Sequence, residues 1–241
     1  MRKKYVTEFI TRVILFFVTV GIYFCDKKYL EFQGRSFFNN WYLIFLWAFL
    51  MIDMIKRLKP NSRVSMGSEK EHKVFYLERE YDKDKLISIS RQEDKRARNA
   101  MIFWIIPNIV FWILYFKGIL NEQEMLLLFL FYYIADTFCV LFWCPFQILF
   151  MKNRCCTTCR IFNWDFFMLY FPLFVIPSFF SYTLCSMAIL LFIRWEYRYR
   201  VYKERFFEYS NEALRCNNCT SYLCKYKGRL KTTEEEIMKT K

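Results

Sequence analysis

A single histidine, five glycines and five prolines in 241 residues exclude several common designs. The histidine, His72, lies in a polar stretch and reads as solvated. Bis-histidine haem ligation, histidine metal sites and a Ser-His-Asp triad are therefore not expected. There is no glycine-rich phosphate loop and no His-Glu-x-x-His zinc helix. So few glycines and prolines argue against a loop-rich secreted scaffold and against a disordered chain. The N-terminus opens on Arg2, Lys3 and Lys4 and then turns apolar from Val6, which is how a secretory signal begins. No small-residue cleavage site follows, because the run ends in Ile22-Tyr23-Phe24-Cys25-Asp26, so it reads as a retained first span.

The abundant residues are apolar: 56% of the chain is hydrophobic, 22% is aromatic, and phenylalanine alone contributes 29 residues. Soluble domains are about half apolar but carry far fewer aromatics. The apolar residues also lie in long runs, near 6–25, 37–55, 99–116, 125–151 and 166–193, each long enough to be a candidate membrane helix. The expected fold is an all-α integral membrane protein. It has four transmembrane helices, a fifth apolar segment, and cysteine-rich elements in the cytosol. In chain order this gives a transmembrane hairpin (1–55), a charged cytosolic loop (56–98), a second hairpin (99–151), a cysteine motif (152–165), the fifth run (166–193) and a basic tail (194–241).

Basic residues set the orientation. The net charge of +13 sits beside apolar runs, as expected of cytosolic loops that touch anionic headgroups, and no nucleic-acid motif accompanies it. The N-terminus and the 56–98 loop both read as cytosolic. The tail conflicts with a single fifth crossing, since Arg194, Arg198, Arg200, Lys203 and Arg205 crowd the membrane edge. Two half-length helices meeting near Ile176-Pro177-Ser178 would form a re-entrant hairpin and return the tail to the cytosol. The alternative is one long tilted span with an external tail. The short apolar groups within 56–98 suggest a small amphipathic helix or strand pair on the membrane surface.

Ten cysteines are unevenly placed. Cys155, Cys156 and Cys159 follow the fourth run, and Cys216, Cys219 and Cys224 lie in the tail. Each group holds two cysteines three positions apart, a spacing that lets both sulfurs face one ion. Cys156, Cys159, Cys216 and Cys219, with Cys155 or Cys224 as alternates, make the ligand set of a zinc site or, alternatively, an iron–sulfur cluster. Nearby Lys and Arg favour thiolates by lowering their pKa values. A reversible dithiol pair and lipid-modified membrane-edge cysteines are the competing readings. Cys25, Cys139, Cys144 and Cys185 read as small buried hydrophobes, with Cys144 close enough to approach the site.

Asp136 sits inside the fourth run, where an ionisable side chain marks a functional site by default. It reads either as a proton or cation site or as an interhelix contact with Asn108. Asp53 is expected to pair locally with Lys56 and Arg57, and Arg12 to reach the interface or pair with Glu8. Asn163 or Asp165 suits a helix cap, and Trp164 suits an interface anchor.

The stretches Trp143-Cys144-Pro145-Phe146-Gln147, Asn153-Arg154-Cys155-Cys156, Cys159 through Asp165, Ile193-Arg194-Trp195-Glu196, Glu204 through Glu208 and Ser210-Asn211, with the tail cysteines, resemble a group of bacterial multi-pass membrane proteins with no assigned activity. The resemblance covers about the second half of the chain and implies a plasma-membrane setting with the two cysteine groups acting as one unit. It supplies no catalytic residue. The expected function is a membrane protein with a cytosolic tetracysteine metal site, non-enzymatic in itself, in a structural or interaction role. The alternatives are a membrane redox protein and a small transporter or channel that uses Asp136. A headgroup-modifying enzyme has least support.

Overall fold

The computed structural model describes residues 2–31, 40–59, 67–153, 155–215 and 218. Six principal helices carry the chain: α1 (Arg2–Cys25), α2 (Trp41–Lys56), α3 (Lys83–Phe116), α4 (Glu122–Leu141), α5 (Asp165–Tyr170, continued as a 3-10 turn Phe171–Val175) and α6 (Phe179–Val201). Among the described residues there is no strand ladder, only an isolated bridge between Glu78 and Asn211.

Local chemistry sets the helix ends. Asn40 caps α2, its side chain accepting from the N–H groups of Tyr42 and Leu43 at 3.1 and 3.4 Å. Asp82 caps α3 through the Asp84 N–H at 2.9 Å. Asn121 and Glu124 form a capping box on α4. Gly118, at φ +69°, takes the left-handed turn between α3 and α4 that a side chain would resist.

Four helices are long and apolar enough to cross a membrane: Tyr5–Cys25 of α1, α3, α4 and α6. The set differs from the expected one at three places. α2 is 16 residues, about 24 Å at the helical rise, and falls short of that length. α3 begins well before its apolar half and runs 34 residues unbroken, so the charged stretch 83–98 is the first half of the same long helix and not a separate surface helix. The fourth run stops at Leu141, because Pro145 cannot supply an N–H and disfavours helix at the residue before it; a π turn, Phe146–Met151, follows.

The fifth run doubles back at Ile176-Pro177-Ser178, as its two prolines suggested. Its two ends meet: Trp164 Nε1 donates to Glu196 at 2.6 Å, and Trp195 Nε1 donates to the Arg160 carbonyl at 3.1 Å. The limbs are unequal, a short one through α5 and a full-length one in α6. Asn163 and Asp165 do not cap α5, where Trp164 holds the cap position without a side-chain bond. Trp195 is buried in a core, and Trp164 is buried beside it.

Two cores result. In the first, α1 lies along α4, α2 packs on α6, and the α5 limb fits between α4 and α6. Leu43, Leu46, Leu50, Met54, Phe129, Tyr170, Leu173, Phe180 and Leu184 fill it. The second lies at the end of the bundle where the fifth run begins and ends. Here Leu86 and Ala97 of α3 meet Met151, Cys159, Ile161, Trp164, Trp195, Tyr199, Phe206 and Phe207. Arg160 binds Glu196 through two 2.7 Å bonds, with its guanidinium 3.6 Å over the Tyr199 ring.

His72 is part of this end and is not solvated. It lies partly buried beside Arg194, whose Nη2 is 3.5 Å from Nε2, while Arg194 pairs with Glu71 at 2.5 Å. Burial first, then Arg194, Arg198 and Arg205, push the imidazole down to about 4 from its usual 6.5. The folded protein thus keeps His72 neutral where the unfolded chain would protonate it, and stability drains as pH falls from 6.5 towards 4. Thermal unfolding in detergent across that range will show a fall in Tm that is smaller in His72→Gln.

Candidate thiol pocket and buried charge layer

α1, α2 and α4 each bring charge into the first core. Arg12 on α1 is only 3% exposed. It does not reach the interface. It crosses to α4, where it donates to Asp136 Oδ2 and to the Tyr133 carbonyl, both at 2.7 Å. Its guanidinium lies 3.7 Å over the Tyr133 ring and 3.8 Å from Asp53 Oδ2 on α2. Tyr133 Oη donates to the same Asp53 oxygen at 3.0 Å. Arg57, just past α2, pairs with Asp165 at 3.3 Å. The partner of Asp136 is therefore Arg12 and not Asn108, which turns back to donate to the Trp104 carbonyl of its own helix at 2.8 Å. Asp53 likewise looks across the bundle to Tyr133 and Arg12. Charges this deep are stable only when paired and hydrogen-bonded, so the layer locks three helices into one register.

The thiols lie beside this layer. A cavity of about 260 Å³ is lined by Trp104, Tyr132, Asp136, Cys139, Cys144, Phe146, Gln147, Cys156, Cys159, Phe162 and Asp165. Three chain segments supply its cysteines: α4, the break after it, and the loop before α5. Cys139 and Cys144 both face this cavity and lie close enough to act on one another. Gln147 ties the segments together: its N–H donates to Cys144 Sγ at 3.4 Å, and its side-chain oxygen accepts from Cys156 Sγ at 3.7 Å. Cys156 and Cys159 close a turn, with the Cys159 N–H donating to the Cys156 carbonyl at 3.1 Å. Cys155 turns to Thr158, with 3.7 Å between Sγ and Oγ1.

Among the described residues no three of His, Cys, Asp and Glu are placed to hold a metal ion. Cys216, Cys219 and Cys224 lie outside the described residues. No disulfide is present among the described cysteines. The expected thiolate activation is absent at Cys159: burial pushes its thiol up to about 12, overriding the opposing pull of Lys70. Lys70 is itself buried, donating to the Cys159 carbonyl at 2.7 Å. Cys185 is a core residue as expected, while Cys25 is exposed at the end of α1. Cys144, expected to approach the cysteine group, lines the same cavity as Cys156 and Cys159, and Cys139, expected to be a packing residue, lines it too.

A second cavity, of about 530 Å³, lies on the polar end and is lined by Arg79, Lys152, Asn153, Thr158, Phe207 and Arg215 among others. Thr158 and Arg215 both line it. Alkylation of the folded protein at neutral pH will modify Cys25 quickly and Cys159 last, with Cys159 reacting only after denaturation; peptide mass spectrometry reads the order. No protein-family model, curated protein or solved structure matches this chain.

Proposed function

We propose that this chain is a multi-pass protein of a bacterial plasma membrane whose working site is a membrane-edge dithiol that passes electrons to a quinone. The carrying observation is the convergence of Cys139, Cys144, Cys156 and Cys159 on one mostly apolar cavity. The Cys139 and Cys144 thiols act on one another across this cavity, and one disulfide between them is the bond the reaction would form. The cavity walls are aromatic, with Trp104 and Tyr132 rings 4.6 Å apart, and Phe131 on its rim is 55% exposed on the outer helical face. Such a slot suits a flat, apolar ring that arrives from the bilayer. In the reaction, Cys139 and Cys144 lose two electrons and two protons and form one S–S bond; the quinone gains both and becomes the hydroquinone.

Membrane placement is supported by large apolar side chains on the outer helical faces. These include Ile10, Ile14 and Phe17 of α1 and Ile102, Phe103, Ile106 and Ile113 of α3, a surface that water disfavours. The N-terminus and the cysteine-bearing end are placed in the cytosol, against anionic headgroups, because both are basic.

A tetracysteine site is the second reading, favoured by the shared cavity of Arg215 and Thr158. Cys156, Cys159, Cys216 and Cys219 would hold zinc, or an iron–sulfur cluster, with Cys155 and Cys224 as alternates.

Protein purified anaerobically into nanodiscs and mixed with a short-chain quinone will lose two titratable thiols per hydroquinone formed, and Cys144→Ser will abolish this. Metal bound to the wild type and lost from Cys156→Ser, without quinone reduction, would replace the dithiol reading with the metal one. No quinone reduction and no metal would end both.

A further inference from the structure

Among the described residues the buried charge layer does not balance. Two guanidinium groups, Arg12 and Arg57, face three carboxylates, Asp53, Asp136 and Asp165. The groups act on one another as a single unit: Arg57 feels Asp165, Asp53 and Asp136 together, with Tyr5 also in reach. Ionised throughout, these five side chains would carry one net negative charge between helices. A low-dielectric site relieves such a charge most simply by binding a proton.

The three carboxylates are not equivalent. Asp136 has a 2.7 Å bond from Arg12. Asp53 accepts from Tyr133 and lies near Arg12. Asp165, outside the four spanning helices at the head of α5, has Arg57 at 3.3 Å and the Phe166 N–H at 2.9 Å. Its burial pushes the carboxyl up against the pull of Arg57, and the like charge of Asp136 pushes the same way. A second observation points to the layer. The Tyr170 hydroxyl is fully buried, has no hydrogen-bond partner among the described residues, and lies within electrostatic reach of Tyr133, Asp53 and Arg12. It supplies a further polar group for proton exchange.

We propose that the charge layer is a proton-binding site, in which Asp165 carries one exchangeable proton at the wall of the thiol-lined cavity, beside the Asp136 carboxylate. Asp136 and Asp165 both line that cavity, so the proton is accessible to whatever binds there. The proposal stands whether or not the thiols are redox-active.

The test is carbon-13 NMR of wild-type protein labelled at its aspartate carboxyls, in nanodiscs, titrated across pH. One carboxyl will titrate at least about one pH unit above the rest, the size expected of a buried acid beside a like charge. That resonance will be missing in Asp165→Asn. In Asp136→Asn it will titrate lower, since the neighbouring charge is gone; this variant carries the test if Asp165→Asn does not fold. Aspartates that all titrate together would overturn the proposal, as would a raised resonance that persists in Asp165→Asn or is unmoved by Asp136→Asn.

Discussion

Arg12 imposes the constraint on which the bundle depends. A guanidinium held at 3% exposure cannot shed its charge, so it must be met by anions and acceptors from other elements. α4 answers with Asp136 and the Tyr133 carbonyl, and α2 with Asp53. Tyr133 serves twice more, as the ring beneath the guanidinium and as a donor to Asp53. Any slip of α1 by one residue would remove Arg12 from all of these partners at once. Apolar packing is tolerant of such slips, whereas a buried ion set is not, so the layer fixes the register that the leucine and phenylalanine contacts leave loose.

The thiol pocket follows from that register. With α1 and α4 fixed, the end of α4 at Leu141 places Cys139 on one wall, and the break at Pro145 returns Cys144 beside it. The opposite wall is the loop carrying Cys156 and Cys159, which is held by the second core: Lys70 grips the Cys159 carbonyl, and Arg160 is clamped by Glu196. That core closes only because the fifth run doubles back and brings Trp164 to Glu196. The two cores therefore meet at the pocket, and the acidic side of the pocket is the edge of the charge layer itself.

Much of this was legible in the chain, and the misses have physical causes. The apolar runs gave the helices, and Pro177 gave the hairpin tip, because a proline in a run too short for two spans leaves few alternatives. Pro145 carried the same kind of signal, but the apolar residues on both sides of it outweighed it. Arg12 was misread because a charge near a helix start ordinarily reaches water, and nothing local tells a reader that it turns inward. Asp136 announced itself by depth, but its partner lies 124 positions away. The charged first half of α3 has no apolar stripe strong enough to reveal that it continues the apolar helix. The cysteine groups were visible as groups, and Cys144 as a neighbour of the first; that Cys139 joins them required the fold, and the tail group lies outside the described residues.

A double-mutant cycle on Arg12→Met and Asp136→Leu, read as unfolding free energy in lipid-detergent mixtures, tests the central claim most directly. If the ion pair sets the register, each single variant costs about 3–5 kcal/mol, because it strands a buried charge. The double variant then costs less than the two together, by at least about 1 kcal/mol. Single variants that cost little, or effects that add within about 0.5 kcal/mol, would contradict it and leave apolar packing as the source of the fold.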